Sequence, residues 1–322
     1  MSISGMTFTK NSTNFIYSDS PEAFTVSSNS LLYQWGCSIG TSFKDFEMYH
    51  HLYNGDMGNT QFRAGIAVQN LNSSAITITY ICAGNAINES SSDGDIKALT
   101  VTPNVLKTYL NSSTKTITVP AKSVKYIDGY TGNFTKGYAK FVTVRGKIKS
   151  SVSSNVYIRL FVAGANKISS ISELFGLKTY EKGNSNYFTG ELSYTQKNVS
   201  LNANSTATYR FFEWPTEYNK NEYTGVVTNK PTAASIHAGN FGVIYKLNIS
   251  NASGKKIKIT PSWTASRTKA TIVYRINSGG WIARDVISTG ACWYLSLGNS
   301  SSATFEMILP GGNHGNFDVT FD

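Results

Sequence analysis

The chain has 322 residues, of which 40% are hydrophobic and 15% are charged, with a formal net charge of +10. This length predicts two domains of ordinary size, with a single large sandwich as the alternative. The charged fraction is well below the roughly 25% of a typical soluble domain. No stretch approaches the ~20 apolar residues of a membrane span. Ser, Thr, Asn and Gly supply the missing polarity, and they favour turns over helix interiors. With an aromatic fraction of 13%, the composition is typical of a strand-rich protein.

The basic residues are scattered along the chain, which favours a role in solubility over one in binding polyanions. Their densest run, Lys255 to Lys258, alternates around Ile257 as the solvated face of a strand would. The sequence contains no recognition-helix or zinc-finger pattern, so we expect no sequence-specific contact with nucleic acid. Attraction to an anionic polymer stays open.

Residues 1–45 are predicted to form an N-terminal arm. The arm contains apolar pieces that a solvated tail would not need, namely Phe15, Ile16, Tyr17, Leu31, Leu32, Tyr33 and Trp35. We expect these residues to pack against another copy of the protein as an added strand or clasp. The alternative is that the arm folds back on its own first domain. If the arm packs against another copy, Cys37 inside the arm could crosslink neighbouring copies in an oxidising environment.

Residues 46–180 are predicted to form a first β-sandwich. Residues 62–71 and 75–81 alternate around a polar turn, which is typical of a hairpin. The best helix candidate is Val101 to Leu110, with Pro103 near its start, and Ile168 to Phe175 could form a second short helix. The polar stretch 182–186 is expected to separate the two domains.

Residues 187–322 are predicted to form a second sandwich, because short strands alternate with Gly, Asn and Ser turns. Its expected strands are 188–194, 207–212, 241–249, 256–261, 270–276, 292–297, 303–309 and 317–321. The predicted fold class is therefore all-β, with two antiparallel sandwiches of jelly-roll or Ig-like type, one or two short helices and an N-terminal arm. The stretches 58–79 and 239–260 share a weak echo of strand, Asn/Ser turn and strand.

Two motifs resemble a known family. His237-Ala238-Gly239-Asn240-Phe241-Gly242-Val243-Ile244-Tyr245-Lys246-Leu247 and Met307-Ile308-Leu309-Pro310-Gly311-Gly312-Asn313 are similar to segments of uncharacterised secreted proteins of clostridia and bacilli. The resemblance spans residues 46–322. Those proteins often carry a copper amine oxidase-like N-terminal domain or surface-layer anchoring repeats, neither of which is present in this chain. The resemblance implies two sandwiches and an extracellular setting, and it supplies no catalytic residues.

Candidate catalytic and binding residues are few. The four histidines, His50, His51, His237 and His314, are better read as turn and strand-end residues than as metal ligands. Glu213, Glu217 and Glu222 share a long loop with three aromatic residues that could hold a sugar, namely Trp214, Tyr218 and Tyr223. An ordinary structured loop is the favoured interpretation. We predict no cofactor and no metal site, and we expect Cys37, Cys82 and Cys292 to be free thiols, with one bridge as the alternative.

Two hypotheses about function follow from these observations. The first is a non-enzymatic structural subunit of an extracellular, cell-surface or spore-surface assembly, such as a filament, appendage or coat. Such a subunit would self-associate through its arm and sandwich edges, which suits a surface rich in uncharged polar side chains. The alternative is a surface module that binds carbohydrate or an anionic cell-wall polymer. A structured arm favours the first hypothesis, because a binding module has less need for one.

Overall fold

The computed structural model describes residues 5–89, 94–179, 181–183, 185–213, 220–262, 269–288, 291–313 and 315–322. Its first eleven strands are β1 Thr9–Lys10, β2 Phe15–Ser18, β3 Ala23–Val26, β4 Leu31–Ser38, β5 Lys44–Asn54, β6 Gln61–Asn70, β7 Ile76–Glu89, β8 Lys115–Val119, β9 Ser123–Asn133, β10 Ala139–Ser150 and β11 Val156–Ala163. The remaining strands are β12 Thr189–Leu192, β13 Gln196–Asn202, β14 Tyr209–Phe211, β15 Val226–Asn229, β16 Ile244–Ser250, β17 Lys256–Pro261, β18 Lys269–Ile276, β19 Ile282–Ser288, β20 Trp293–Ser296, β21 Ser302–Ile308 and β22 Phe317–Phe321. Helix α1 spans Gly94–Leu110, and 3-10 segments span Ala165–Gly176, Lys220–Tyr223 and Ala238–Asn240.

The N-terminal sandwich consists of two facing sheets. The larger, which we name the central sheet, has the strand order β15-β12-β2-β5-β10-β7-β8, with β3 also paired to β5. The smaller sheet has the order β4-β11-β6-β9. Alternate apolar side chains of both sheets fill the space between them, among them Phe46, Met48, Phe62, Ile66, Val142, Val144, Ile158 and Leu160. The period-2 pattern of these strands thus creates the first core.

The C-terminal sandwich is built in the same way. Its six-stranded sheet has the order β1-β13-β16-β21-β18-β19, and its four-stranded sheet has the order β14-β22-β17-β20. The core between them contains, among others, Val199, Leu247, Ile257, Ile259, Phe305, Met307, Phe317 and Val319. The predicted all-β sandwich architecture is confirmed.

The sheets do not follow the predicted domain ranges of 1–45, 46–180 and 187–322. Strands β12 and β15 belong to the second range, yet they extend the central sheet of the first sandwich. Strand β1 belongs to the arm, yet it pairs antiparallel with β13 at the edge of the C-terminal sandwich. Each sandwich therefore includes strands from outside its predicted range. The two bodies are joined because the C-terminal core packs against the outer face of the central sheet.

The arm pairs within its own chain, which is the alternative that the sequence left open. Strand β2 runs parallel to β5 on one side and antiparallel to β12 on the other. Its alternation divides its side chains between two cores, since Ile16 lies in the N-terminal core while Phe15 and Tyr17 lie in the C-terminal core. Both cores therefore share this one strand.

The second apolar piece of the arm is strand β4, at one edge of the smaller sheet, where it pairs with β11. Leu31 and Tyr33 pack beneath the 3-10 segment Ala165–Gly176, which covers the outer face of this sheet through Ile171 and Leu174. Trp35 and Leu32 contact the N-terminal core. The seven apolar residues of the arm are thus divided among three packing environments of the same copy.

The predicted hairpin of residues 62–81 is wrong in its pairing. Strand β6 alternates as expected, but its neighbours are β11 and β9, whereas β7 belongs to the central sheet. The turn between them carries the chain from one sheet to the facing one. Asn70 anchors this corner, because its Nδ2 donates to the carbonyl oxygens of Ser74 and Pro120 at 2.9 Å each. Strands β16 and β17 make the same kind of crossing in the second sandwich, which accounts for the echo between the two stretches.

Helix α1 begins earlier than predicted and lies between the two sandwiches. Val101, Val105 and Tyr109 contact the central sheet, while Leu106 contacts Val273 of the six-stranded sheet. Pro103 falls inside the helix, so the carbonyl of Leu99 loses its helical N–H donor. Thr271 replaces that donor, since its Oγ1 donates to the Leu99 oxygen at 3.3 Å. A side chain of the second sandwich thus compensates for the proline.

The shared strand gives a first prediction. Phe15→Ala should lower the free energy of unfolding by about 3–5 kcal/mol, because it opens a cavity against the second core. Chemical denaturation measures this change. The matched control is Thr7→Ala at an exposed arm position, for which we expect a change within about 0.5 kcal/mol. Similar small effects for both variants would mean that the arm is not part of the folded body.

The contact between Thr271 and α1 gives a second prediction. Thr271→Val should lower the free energy of unfolding by about 1–3 kcal/mol, because it leaves the Leu99 carbonyl buried without a donor. Thr143→Val is the control, because Thr143 is equally buried and its Oγ1 has no hydrogen-bond partner. The same denaturation experiment on both variants decides the question, and equal losses would contradict the assigned role of Thr271.

Candidate functional site

The residues predicted from the long loop divide into two groups. Trp214, Tyr218 and Glu217 lie outside the described residues. Tyr223 is described, and it is buried with its ring facing inward. Its hydroxyl donates to the Glu213 carbonyl oxygen. Glu222 is also buried, so this end of the loop contributes to the protein interior.

A buried lysine marks the site that sequence reasoning missed. Strand β13 alternates, with Val199 and Leu201 facing the core, and Lys197 occupies the same inward face. Its side chain is 0% exposed. A lysine is almost never fully buried unless it has a partner. The signal was present in the sequence as a lysine at an apolar position of the alternation, but the strand itself was not predicted.

Lys197 is surrounded by aromatic rings and one carboxylate. Its Nζ lies 3.4 Å from Glu222 Oε1 and 3.3 Å from Tyr245 Oη. Among the described residues, the rings of Phe8, Tyr194, Tyr223 and Tyr245 have their centres within 5.9 Å of this nitrogen. Phe8 belongs to the arm, so the arm helps to cover the site.

Asn240 completes this group, which we name the Lys197 cluster and define as Lys197, Glu222, Asn240 and Tyr245. Asn240 Nδ2 lies 3.3 Å from Glu222 Oε1 and 2.9 Å from Tyr245 Oη. Tyr194 Oη donates to Asn240 Oδ1 at 3.4 Å, and Tyr245 Oη donates to Glu222 Oε1. Asn240 adopts a positive φ of 50°, a conformation in which asparagine is enriched. This backbone conformation directs the Asn240 side chain toward the other members of the cluster.

Burial at this site favours the neutral forms of the lysine and of the tyrosines around it. Burial is the main cause that lowers the pKa of Lys197 to about 7, with the Glu222 carboxylate opposing this shift and Lys10 adding to it. Burial also raises the pKa of Tyr194 and Tyr245, with the Glu222 carboxylate adding to both shifts. A substantial fraction of Lys197 is therefore an uncharged amine near neutral pH, which is the nucleophilic form of lysine.

A second buried charged group lies where the central sheet meets the C-terminal sandwich. Arg145 NH2 contacts Asp45 Oδ2 at 3.2 Å and NH1 contacts Glu47 Oε2 at 3.5 Å. The guanidinium also lies over the Phe15 ring at 4.4 Å. Burial raises the pKa of Glu47 to about 7, against the effects of Arg145 and the Gly311 N–H. One cation thus faces two carboxyl groups, so one of them retains its proton more easily than in water.

The prediction that the histidines are turn and strand-end residues is wrong for His50 and His51, which lie within strand β5. His50 and His237 are buried. His50 Nε2 lies 3.2 Å from Ser18 Oγ, and its Nδ1 lies 2.8 Å from the carbonyl oxygen of Pro21. Ser18 and His50 are both fully buried. Burial lowers the pKa of His50 and of His237 to about 3. His51 contacts Glu89 at 3.0 Å, and His314 lies outside the described residues.

The three cysteines are free thiols at half-buried positions. Cys37 Sγ lies 3.5 Å from Lys44 Nζ, and burial raises the pKa of Cys37 to about 12. Because the thiolate is the reactive form, this environment disfavours rapid crosslinking. The described residues contain no group of three His, Cys, Asp or Glu side chains that could hold a metal ion. Within the same residues, no helix is both long and apolar enough to cross a membrane.

The carboxyl group of Glu47 gives a third prediction. Its native pKa of about 7 exceeds the unfolded value near 4.3, so only the native state holds its proton between these values. The contribution of Glu47 to the free energy of unfolding should therefore fall as pH rises from about 4.5 to 7, by up to about 1.4 kcal/mol per pH unit. Glu47→Gln should remove this contribution. Denaturation curves across this pH range measure it as a difference, because His50 and His237 contribute equally to both proteins. Parallel curves would contradict the assignment.

Comparison with known proteins gives only weak structural similarities. No family model matches the chain, and no curated protein matches it. Among solved structures, it is similar to the Macrobrachium rosenbergii nodavirus, at 8% identity and a TM-score of 0.17 over 82% of this chain and 80% of that one. It is also similar to the CUB1-EGF-CUB2 domain of human MASP-1/3, at 10% identity and a TM-score of 0.17 over 85% and 100% of the two chains. Similarities this weak carry no argument about fold or function.

Proposed function

We propose that the protein is a non-enzymatic structural subunit of an extracellular or surface assembly, which joins copies of itself through open sheet edges. The carrying observation is that three edge strands each present an exposed apolar side chain. These are Val227 on β15 at 57% exposure, Ile282 on β19 at 50% and Tyr294 on β20 at 48%. An edge strand has unpaired backbone groups, which form a template for a strand of another chain.

The arm provides a second route to the same assembly. Its strands β1 and β2 complete sheets of both sandwiches, and they lie near the N-terminal end of the described chain. A neighbouring copy could supply the same strands, because exchange of an identical element preserves every contact. The buried apolar residues Phe15, Ile16 and Tyr17 would then join two copies with no new interface chemistry.

The interior of the protein supports a role without catalysis. The serine–histidine pair of Ser18 and His50 is fully buried. In the long loop, Tyr223 and Glu222 point into the protein and contact Lys197, so these two residues do not form an open sugar site.

One observation favours the alternative, a module that binds carbohydrate or an anionic polymer. On the outer face of the four-stranded sheet, Lys258 Nζ lies 5.4 Å from the centre of the exposed Tyr294 ring. Lys256 is exposed on the same face of β17, which confirms the predicted alternation around Ile257. Cations beside a flat ring could contact an acidic sugar, but the patch is small.

The edges give a fourth prediction. The double variant Val227→Lys, Ile282→Lys should shift the protein toward monomers, because charges on an edge strand oppose pairing. Native mass measurement and negative-stain microscopy would compare it with the wild type. The salt concentration should be raised, since a net charge of +10 repels copies at low ionic strength.

Tyr157→Lys is the matched control, because Tyr157 is exposed but lies on β11 inside a sheet. It should assemble like the wild type. A wild-type protein that stays monomeric at high concentration would contradict the proposal. Retention on a dextran sulfate column that is lost in Lys258→Glu would favour the alternative instead.

A further inference from the structure

Three side chains with complementary chemistry meet inside the C-terminal sandwich. Lys197 comes from strand β13, Glu222 from the 3-10 segment Lys220–Tyr223, and Asn240 from the 3-10 segment before β16. Lys197 Nζ and Asn240 Nδ2 lie 3.4 Å and 3.3 Å from the same oxygen, Glu222 Oε1. They also share Tyr245 Oη, at 3.3 Å and 2.9 Å. Two shared partners hold the amine and the carboxamide next to each other.

The backbone around the cluster would accept a bond between these two groups. Strands β13 and β16 are parallel neighbours, and Lys197 is the register partner of Tyr245. Asn240 lies five residues before Tyr245 in the segment that leads into β16. A covalent link from Lys197 to Asn240 would therefore join β13 to the segment that leads into its hydrogen-bonded neighbour β16. No rearrangement of the sheet is required.

The surroundings favour the reaction of an amine with an amide. The Lys197 cluster is buried, and aromatic rings exclude water from the nitrogen. Desolvation of this kind activates a lysine as a nucleophile, in keeping with the lowered pKa of Lys197. Holding both reactants in place replaces a bimolecular encounter, and well-oriented groups reach effective molarities on the order of 10⁵ M or more.

We propose that Lys197 and Asn240 form an intramolecular isopeptide bond, with Glu222 as the proton carrier. The bond links Lys197 Nζ to Asn240 Cγ. It closes a covalent loop between strand β13 and the 3-10 segment that precedes β16. This modification is independent of the proposed self-association, because every participating residue belongs to one copy.

The reaction balances without any external reagent. The Lys197 ammonium first gives one proton to the Glu222 carboxylate, which leaves a neutral amine and a carboxyl group. The amine attacks Asn240 Cγ, and the Tyr194 hydroxyl, which donates to Asn240 Oδ1, stabilises the charge that develops on this oxygen. Glu222 then protonates Nδ2, the bond between Cγ and Nδ2 breaks, and ammonia leaves. The former amine returns a proton to Glu222, so the products are a secondary amide, ammonia and the protonated carboxyl group.

Another lysine offers a matched control within the same chain. Lys230 is also buried, and burial lowers its pKa to about 7. Its Nζ donates to the carbonyl oxygen of Ser20, a backbone amide that carries no leaving group comparable to ammonia. Comparing Lys230 with Lys197 therefore tests whether the neighbouring Asn240 and Glu222 are what permits the reaction.

The experiment is intact-mass spectrometry of the full-length folded protein. The wild type should weigh less than its sequence by the mass of one ammonia molecule, and proteolysis should yield one branched peptide that contains both Lys197 and Asn240. Trypsin should no longer cleave after Lys197. The variants Lys197→Met, Asn240→Ala and Glu222→Gln should lose the mass deficit, whereas Lys230→Met should keep it.

Two outcomes would overturn the proposal. The first is a wild-type mass equal to that of the sequence. The second is a mass deficit that persists in Lys197→Met, because an asparagine that closes on its own backbone loses ammonia without any lysine. If a variant does not fold, the peptide map of the wild type still decides the question, since the branched peptide is either present or absent. Neither outcome depends on whether copies assemble, so the proposed function is tested separately.

Discussion

The insertion of strand β2 between β5 and β12 is the constraint on which the two-sandwich architecture depends. A strand in an ordinary sandwich presents one apolar face and one solvated face. Here both faces of Phe15–Ser18 are buried, because each faces a different core. The central sheet consequently serves both bodies, and the outer positions of its strands must suit a second interior. This requirement explains why Phe15 and Tyr17 are large and aromatic where an isolated arm would carry polar residues.

The same burial brings charges into the interior, and the protein accommodates them in two ways. Arg145 sits beneath Phe15 with two carboxyl groups and the Tyr109 hydroxyl, which donates to Asp45, so its charge is balanced by anions. Lys197 has one carboxylate and several aromatic rings around its Nζ atom, so burial favours its uncharged amine form. Buried ion pairs contribute little to stability unless geometry and hydrogen bonding are excellent. Both groups are therefore better explained by what they connect than by the energy they contribute. Arg145 joins the central sheet to the arm, and the Lys197 cluster joins β13 to the start of β16.

The sequence predicts the elements of this protein better than their partners. The alternation in β6 identifies its buried face correctly, because side-chain period is local. Its pairing with β7 could not be inferred, since a short polar turn can close a hairpin or cross between facing sheets. Strand β13 was missed because Lys197 interrupts its apolar pattern, and with it the cluster was missed. Helix α1 was predicted too short because Pro103 resembles a helix start, whereas the distant Thr271 compensates for a proline inside the helix. Long-range contacts of this kind leave no local trace.

The topology of β2 also sets the order in which the chain can fold during synthesis. Strand β5 follows β2 closely, but β12 is translated only after more than half of the chain. Until then Phe15 and Tyr17 have no second core to enter, and an apolar face of the nascent central sheet stays exposed to solvent. Partly made chains with exposed sheet surfaces are prone to aggregate. Neither sandwich can therefore complete its folding on the ribosome independently of the other. A cell that produces this protein must protect the early intermediate until the second half emerges.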